Sequence, residues 1–232
     1  MRGPGLGVRL HPGRGGRGGT AGFRGPGFNE QVSLQRGTRP SGPKRSDAQR
    51  NEDTLVRAAT AAVHREGLGV ALGTIAADAG VGIGTLYRHF PTREHLLSAL
   101  THRSFEQVLR NAREAERLGA TPVDALRRFV EAAIDQRNEL VLPLHGGPEI
   151  TSAETLAVRA EVRATVERVL QRGSADGTLR PGLEARDVVV FGAMLAQPRE
   201  PDPAWDDLCR RLLGHYLEGL LAPQAGAQVR KR

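Results

Sequence analysis

The sequence predicts an all-α protein with a three-helix head followed by a longer helical body. Apolar residues recur at offsets of three and four over most of the chain beyond residue 44, which is the spacing of one face of an α-helix. No segment carries convincing strand signals. The apolar fraction is 39 % and the aromatic fraction only 4 %. We therefore expect a core built mainly from Ala, Leu and Val.

Length and composition narrow the class of protein further. The 232 residues suffice for one large or two small domains. The single cysteine, Cys209, excludes an internal disulfide and suits a reducing cytosol. The longest apolar run, 188–196, is far shorter than the roughly 20 residues that span a bilayer. We expect no membrane association, no secretory signal, and a cytoplasmic protein.

Positive charge is concentrated at one end of the chain. The net charge is +7, but residues 1–50 hold ten Lys or Arg and only two acids. The remainder is close to neutral. The overall charge is therefore a weak argument for nucleic-acid binding, and a local pattern must supply the evidence.

Residues 1–43 are rich in Gly, Arg and Pro and have almost no periodic apolar positions. Such a segment buries too little surface to offset its chain entropy, so we expect it to be disordered. Three interpretations are open. The segment has no function, as a solvated tail or the product of a start codon assigned too far upstream; it is a basic arm that contacts DNA; or it is an RNA-binding tail. Residues 224–232 are expected to form a second disordered basic tail.

The first helix of the head is predicted to begin at a capping box. Ser46 and Gln49 have the spacing at which each side chain satisfies the other's backbone N–H. An apolar stripe then starts at Leu55, and Gly67 ends the helix.

Two shorter helices follow, over 72–79 and 83–90. Gly80 between them can adopt positive φ and end the first one. Leu86 and Phe90 are spaced to point toward a core, whereas hydroxyl, phenol, guanidinium and imidazole groups occupy the other faces of the second helix. Two helices joined by a short glycine turn are the parts of a helix-turn-helix.

The body is predicted to contain five longer helices. Each is marked by an apolar periodicity, most of them with a capping residue or an N-terminal proline at the start. They are expected from Thr92 to about Gly119, from Pro122 to about Leu140, from Thr151 to Gln171, over Asp187–Ala196, and from Asp202-Pro203 onward.

A known family fits the head. The segment from Lys44 to Arg103 resembles the DNA-binding domain of the TetR family of bacterial transcriptional regulators. The resemblance rests on the IA of the second helix, the AGV turn, and the run GTLYRHFPTRE. It implies a DNA-binding domain over 44–103 and a ligand-binding and dimerisation domain over 104–223.

The resemblance implies that the helix at 83–90 enters the major groove, with its N-terminal end nearest the base edges. Two features depart from the family pattern. The start of the second helix, Val70-Ala71-Leu72-Gly73, lacks the common Ser or Thr cap and a polar residue at the first-turn contact position. Gly82 stands where a side chain often helps contact DNA. The alternative role of Tyr87 is that of a packing aromatic, and His89 is alternatively an ordinary surface histidine. The candidate DNA contacts are Thr74, Ile83, Gly84, Thr85, Tyr87, Arg88, His89 and Arg93, with Lys44 and Arg45 ahead of them.

For the last two helices the resemblance implies a four-helix interface between two copies of the chain. The alternative is that these helices only close the core of one subunit. The candidate interface residues are Val189, Val190, Met194, Leu208, Leu212, Tyr216 and Leu220.

The resemblance also implies a small-molecule pocket in the body, whose occupant changes the spacing of two DNA-binding heads. Each candidate has ordinary core or surface packing as the alternative. The candidates are Phe105, Val108, Phe129, Gln136, His145 and Trp205. No cofactor and no metal site is expected.

Other classes of function have less support. The chain lacks a GxSxG elbow, a Walker loop, an HExxH motif and paired cysteines, so we expect no enzyme and no catalytic residue. An RNA-associated protein would depend on the Gly/Arg tail. The favoured hypothesis is a homodimeric repressor, associated with the bacterial nucleoid, that binds a palindromic DNA operator and is released by an unknown small molecule. Whether it represses or activates is not readable from the sequence.

Overall fold

The structure is a computed structural model that describes the backbone of residues 43–223 and the side chains from residue 49 onward. The extension predicted over 1–43, apart from Pro43, and the tail predicted over 224–232 lie outside the described residues, as do the side chains of Lys44 and Arg45.

Helices form the whole framework of the described part, in agreement with the all-α prediction. Its only strand-like pairing is an isolated antiparallel bridge between Leu179 and Leu221. None of the described helices combines the length and the hydropathy needed to cross a lipid bilayer. The helices are α1 (Pro43–Glu66), α2 (Leu72–Asp78), α3 (Ile83–His89), α4 (Arg93–Leu118), α5 (Pro122–Asp135), α6 (Ala153–Ala175), α7 (Ala185–Leu195) and α8 (Pro203–Leu220), with 3-10 turns at Arg137–Glu139 and Pro143–His145.

The head has a hydrophobic core of its own. It is formed by α1, α2, α3 and the first half of α4, and its centre contains Leu55, Ile75, Leu86, Leu96 and Leu100. All five side chains are at most 1 % exposed. Burial of this kind contributes about 1.5–3 kcal/mol per large apolar side chain, so the short helices α2 and α3 are held by packing rather than by their own helical propensity.

A second core occupies the body, between α5, α6, α7, α8 and the second half of α4. Helix α4 therefore belongs to both cores: Leu100 is buried in the head, and Val108 and Ala112 are buried in the body. The domain boundary predicted at 103/104 falls inside this continuous helix and stays a prediction.

Three predicted helix starts are confirmed by their caps. The Thr92 hydroxyl accepts from the His95 N–H at 3.3 Å, and the Thr121 hydroxyl accepts from the Asp124 N–H at 3.1 Å. The carboxylate of Asp202 accepts from the Ala204 N–H at 3.1 Å. Each side chain satisfies a backbone donor that the first helical turn leaves without a partner.

Other helix bounds differ from the predictions. Helix α1 begins at Pro43, so Ser46 lies inside the helix and does not cap it. Helix α5 ends at Asp135 rather than near Leu140, because the chain tightens there into a 3-10 turn. The turn buries Arg137, whose guanidinium donates to the Asp206 carboxylate at 2.6 Å. This ion pair fixes the end of α5 against α8.

Helix α6 is also displaced from its predicted range. Its N-cap is Ser152 rather than Thr151, and it continues through Gly173 to Ala175. A Cβ on Gly173 would lie 2.5 Å from the Leu179 Cδ1 atom. This glycine is needed for close packing, and it does not end the helix.

Candidate nucleic-acid interface and effector cavity

A tight turn sets the position of α3 relative to α2. Gly80 has φ +66°, a conformation that side-chain-bearing residues rarely adopt. The Val81 N–H donates back to the Ala76 carbonyl at 3.0 Å and closes the turn. The chain then enters α3 through Gly82, which supplies no side-chain cap. This geometry is the predicted helix-turn-helix.

The outer face of α3 is open to solvent. Ile83 and Tyr87 are 43 % and 49 % exposed, whereas Leu86 on the opposite face is fully buried. Gly84 is exposed, and a Cβ placed there would meet nothing within 4 Å. Arg88 is exposed as well, and it makes no hydrogen bond or ion pair with another residue of the described range. The helix thus presents an unpaired guanidinium and a phenol beside a bare stretch of backbone.

Two other predicted contacts already have partners within the head. His89 is mostly covered, and its Nδ1 lies 3.9 Å from the Glu52 carboxylate of α1. Arg93 donates through Nη1 to the Leu68 carbonyl at 2.9 Å. A guanidinium has five N–H donors, so Arg93 can fix the α1–α2 turn and still face a phosphate.

The remaining DNA candidates are less prominent. Thr74 and Thr85 are half-buried on α2 and α3. Ala71 precedes α2 and makes no side-chain cap, as its sequence indicates. Lys44 and Arg45 lie in the first turn of α1, where only the backbone is described.

Ion pairs fix α1 against its neighbours in the head. Arg65 donates to the Asp78 carboxylate at 2.8 Å and links α1 to α2. This hydrogen bond raises the pKa of Arg65. Arg103 forms a second ion pair with Asp53 and links α4 to α1. The head is thereby joined to the helix that continues into the body.

The body contains a cavity of about 270 Å³ between α4, α5, α6, α7 and the segment 140–150. Its volume is near the lower end of the roughly 300–1,000 Å³ typical of small-molecule sites. Four predicted ligand-binding residues line it: Phe105, Val108, Phe129 and His145. Most of the other walls are apolar.

The structure places Gln136 and Trp205 away from this cavity, contrary to expectation. The side-chain oxygen of Gln136 accepts from the side-chain amide of Asn111 at 3.0 Å because the end of α5 turns toward α4. The Trp205 ring packs under the Arg199 guanidinium, 4.2 Å from the ring centroid. Both side chains are used in contacts within the body.

Sequence reasoning missed three arginines that line the cavity: Arg159 and Arg163 on α6, and Arg186 on α7. The available signal was the four-residue spacing of the first two, which puts both on one face of a helix. Arg159 is partly buried, and burial, followed by repulsion from Arg163 and Arg186, lowers its pKa.

His145 lies between the cavity and the head. Its Nε2 is 2.9 Å from the Ala193 carbonyl of α7, and its ring lines both the cavity and an adjoining cleft. His64 of α1 lines the same cleft. Burial lowers the pKa of both histidines, and the charge of His145 further lowers that of His64. The cavity and α1 are thus linked by a cleft that His145 and His64 both line.

Helices α7 and α8 together present an exposed apolar face. Val190, Met194 and Leu212 are 38 %, 59 % and 42 % exposed. The rings of Phe191 and Tyr216 stack beside them with centroids 3.9 Å apart, which joins the two helices. Large apolar side chains grouped on one surface are typical of protein interfaces.

The other interface candidates are less exposed. Val189 lines the cavity, and Leu208 is half-buried. Leu220 is only 3 % exposed and belongs to the body core, so it is not available to a partner. The reason is the bridge at the end of α8, where the Leu220 carbonyl accepts from the Arg180 N–H at 2.9 Å.

Comparison with known sequences agrees with this architecture. A family profile described as bacterial regulatory proteins of the tetR family matches residues 55–100, which include α2 and α3. The transcriptional repressor LfrR of Mycolicibacterium smegmatis is 42 % identical over 130 residues, which are 54 % of this chain and 65 % of that protein. The repressor KstR of the same species is 32 % identical over 114 residues, which are 48 % of this chain and 52 % of that protein. The matched region thus spans between half and two thirds of these relatives.

Solved structures show the same fold. A TetR regulatory protein from Mycobacterium vanbaalenii superposes with a TM-score of 0.57 at 26 % identity, and the match covers 78 % of this chain and 100 % of that one. The regulator SCO0520 from Streptomyces coelicolor gives a TM-score of 0.51 at 27 % identity, over 74 % and 98 % of the two chains. Residues 55–100, which contain the helix-turn-helix, match the TetR family of bacterial regulatory proteins, and the described fold is that of solved TetR regulators.

Proposed function

We propose that the protein is a sequence-specific DNA-binding repressor that acts as a homodimer and is released from its operator by a small molecule. The observation that carries the proposal is the open outer face of α3, within the segment that matches the family. In this scheme residues 44–103 bind DNA, and residues 104–223 bind the effector and the second subunit.

The side chains of α3 suit the major groove. The unpaired guanidinium of Arg88 can donate two parallel hydrogen bonds to guanine O6 and N7. Ile83 offers an apolar contact to a thymine methyl group, and the bare backbone at Gly84 permits close approach. Thr85 and Tyr87 supply hydroxyl donors for phosphates. Arg93, at the start of α4, adds a further donor for a phosphate.

A single head of this size makes few base contacts, so we propose that two heads bind together. The exposed apolar face of α7 and α8 is the interface, with Val190, Met194 and Leu212 at its centre. A two-fold dimer places two copies of α3 in successive major grooves, about 34 Å apart, and therefore reads a palindrome.

The cavity offers a way to couple a ligand to DNA binding. Helix α7 lines the cavity and also carries part of the proposed dimer interface. His145 links the cavity wall to α1, and α4 is shared by both cores. A ligand that prefers one position of α7 then favours a head separation that does not fit the operator.

Repression is the proposed outcome because the similar curated proteins LfrR and KstR are named repressors. A dimer bound over a promoter blocks polymerase without further chemistry, so the proposal assigns the protein no catalytic role. Its place of action is the DNA of the bacterial cytoplasm.

Selection of bound duplexes from a random DNA library, with the full chain, tests the proposal. We expect a palindromic motif that Arg88→Ala no longer enriches. Arg117→Ala is the matched control, because Arg117 is equally exposed but lies at the far end of α4. Recovery of no motif, with salt-sensitive binding to RNA and DNA alike, would refute the proposal and favour a role for the Gly/Arg extension instead.

A further inference from the structure

The three arginines at the effector cavity form a cluster of one sign. Arg159 and Arg163 lie one turn apart on α6, and Arg186 lies in the first turn of the neighbouring α7. All three line the same cavity. No acidic side chain is among the described residues that line it.

The cluster also has no ion-pair partner within the described part of the chain. None of the three guanidinium groups makes an ion pair or hydrogen bond within the described part of the chain. The three acids on the same helix have other partners: Glu154 lies 3.8 Å from His102 Nε2, Glu161 pairs with Arg113 at 3.5 Å, and Glu167 accepts from Gln171 at 3.3 Å. Glu184 and Asp187 flank Arg186 in sequence, yet neither pairs with it.

The three positive charges repel one another when no anion is bound. The positive charges of Arg163 and Arg186 repel that of Arg159 and lower its pKa, in addition to the effect of burial. Arg186 stands near the N-terminus of α7, where the helix dipole disfavours a cation. An anion placed among the three groups would remove both penalties and accept charge-assisted hydrogen bonds.

The other walls of the cavity favour a ligand that is apolar apart from its anionic group. Phe105, Val108, Phe129 and Val162 form walls that offer no hydrogen bonds. The volume of about 270 Å³ suits a short chain or a small ring rather than a large polycyclic molecule. Gly192 lets α7 pack closely on α5, since a Cβ there would lie 3.2 Å from Val130 Cγ2.

We propose that the effector is a small amphipathic anion, with its apolar part between α5 and α7 and its carboxylate or phosphate group held by Arg159, Arg163 and Arg186. The proposal rests on the proposed function in taking this cavity as the effector site. It excludes cationic effectors, because a cation would join three unpaired positive charges.

The test compares four probes that share one octyl chain and differ only at the head: nonanoate, octyl phosphate, octanol and octyltrimethylammonium. Binding to the full-length protein is measured by isothermal titration calorimetry in the absence of DNA. We expect heats for the two anions, with at least about tenfold weaker binding of octanol and none of the cation. The anion that binds with the higher affinity indicates whether the effector carries a carboxylate or a phosphate group. Equal affinity for octanol and both anions would overturn the proposal.

A pair of double variants locates the binding site. Arg159→Gln/Arg163→Gln should weaken anion binding by at least about tenfold, since each change removes a charge-assisted hydrogen bond. The control is Arg117→Gln/Arg172→Gln, which removes the same charge from exposed sites on α4 and α6 outside the cavity. Equal weakening in both double variants would show non-specific attraction and overturn the proposal.

Calorimetry keeps this inference separate from the repressor proposal. Anion binding that requires the cavity arginines supports the inference even if the protein selects no DNA motif. A protein that selects a palindrome but binds octanol as well as it binds the anions would retain the proposed function and lose this inference.

Discussion

At the scale of single residues, the DNA-facing surface depends on side chains that the fold itself does not use. Leu86 is fully buried and holds α3 in place, whereas Tyr87 and Arg88 are exposed and Arg88 makes no hydrogen bond or ion pair within the described residues. Function and stability are therefore separable along a single helix. His89 and Arg93 are the exceptions, since both also contact α1 or its turn.

Gly84→Ala separates the two properties at one position. A methyl group there meets nothing within 4 Å, so we expect unchanged stability or a gain of about 0.5–1 kcal/mol from the lower backbone entropy of alanine. The same methyl group would obstruct close approach to DNA, and binding of a selected duplex should weaken by about tenfold or more. Thermal unfolding and fluorescence anisotropy measure the two effects. Normal DNA affinity in this variant would argue against Gly84 at the groove.

The buried histidines predict a specific pH dependence. The folded pKa of His64 and His145 lies below the ordinary value of 6.5, so the unfolded chain binds more protons once the pH falls below 6.5. Stability should therefore drop between about pH 6.5 and 5, before the carboxylates titrate.

His64→Gln/His145→Gln should reduce this drop in melting temperature, whereas His215→Gln should leave it unchanged because His215 is 76 % exposed. Melting curves from pH 7.5 to 5 give the comparison. An equal drop in all three proteins would assign the effect to other groups.

At the scale of elements, the sequence predicted which segments are helical better than it predicted where the helices end. The starts of α4, α5 and α8 were predictable because Thr92, Thr121 and Asp202 are capping residues followed by apolar periodicity. The end of α5 was not predictable, because it depends on an ion pair between Arg137 and Asp206, which are far apart in sequence. Local patterns cannot report such a partner.

The cavity was only partly predictable for a related reason. Periodicity identified Phe105 and Phe129 as inward-facing, yet it could not show that Trp205 packs under Arg199 instead. The arginines of the cavity were missed because an arginine on a helix is usually a solvated surface residue. Only the convergence of α6 and α7 shows that three of them meet.

The corner between α4 and α5 gives a prediction for packing. A Cβ on Gly119 would lie 2.6 Å from Ala125 Cα and 2.5 Å from its Cβ, so the backbone itself must move. We expect Gly119→Ala to destabilise the protein by about 1–3 kcal/mol. Gly214→Ala in the interior of α8 meets nothing within 4 Å and should instead stabilise it by about 0.5–1 kcal/mol. Chemical denaturation of both variants checks the sign of each change.

At the scale of the whole molecule, the account requires two subunits, because one short recognition helix provides little discrimination. The exposed face of α7 and α8 is where the second subunit should bind. Helix α7 then serves both the interface and the effector cavity, which allows a small molecule to alter a distant DNA-binding surface.

Met194→Glu/Leu212→Glu tests the interface. Two carboxylates on this face would have to be desolvated in a dimer, so the variant should sediment as a folded monomer and lose operator affinity. Leu118→Glu is the matched control, since Leu118 is 45 % exposed at the end of α4, on neither α7 nor α8. Analytical ultracentrifugation that finds the double variant still dimeric would place the interface elsewhere.

The central claim, that α3 reads DNA sequence, is tested most directly by one comparison of affinities. Fluorescence anisotropy at fixed salt would measure binding of the protein and its Arg88→Ala variant to the selected duplex and to a scrambled duplex of the same composition. The account predicts that the protein prefers the selected duplex and that Arg88→Ala loses at least about tenfold of this preference, the value of one good base contact. Equal affinity of the unmodified protein for the two duplexes would contradict it.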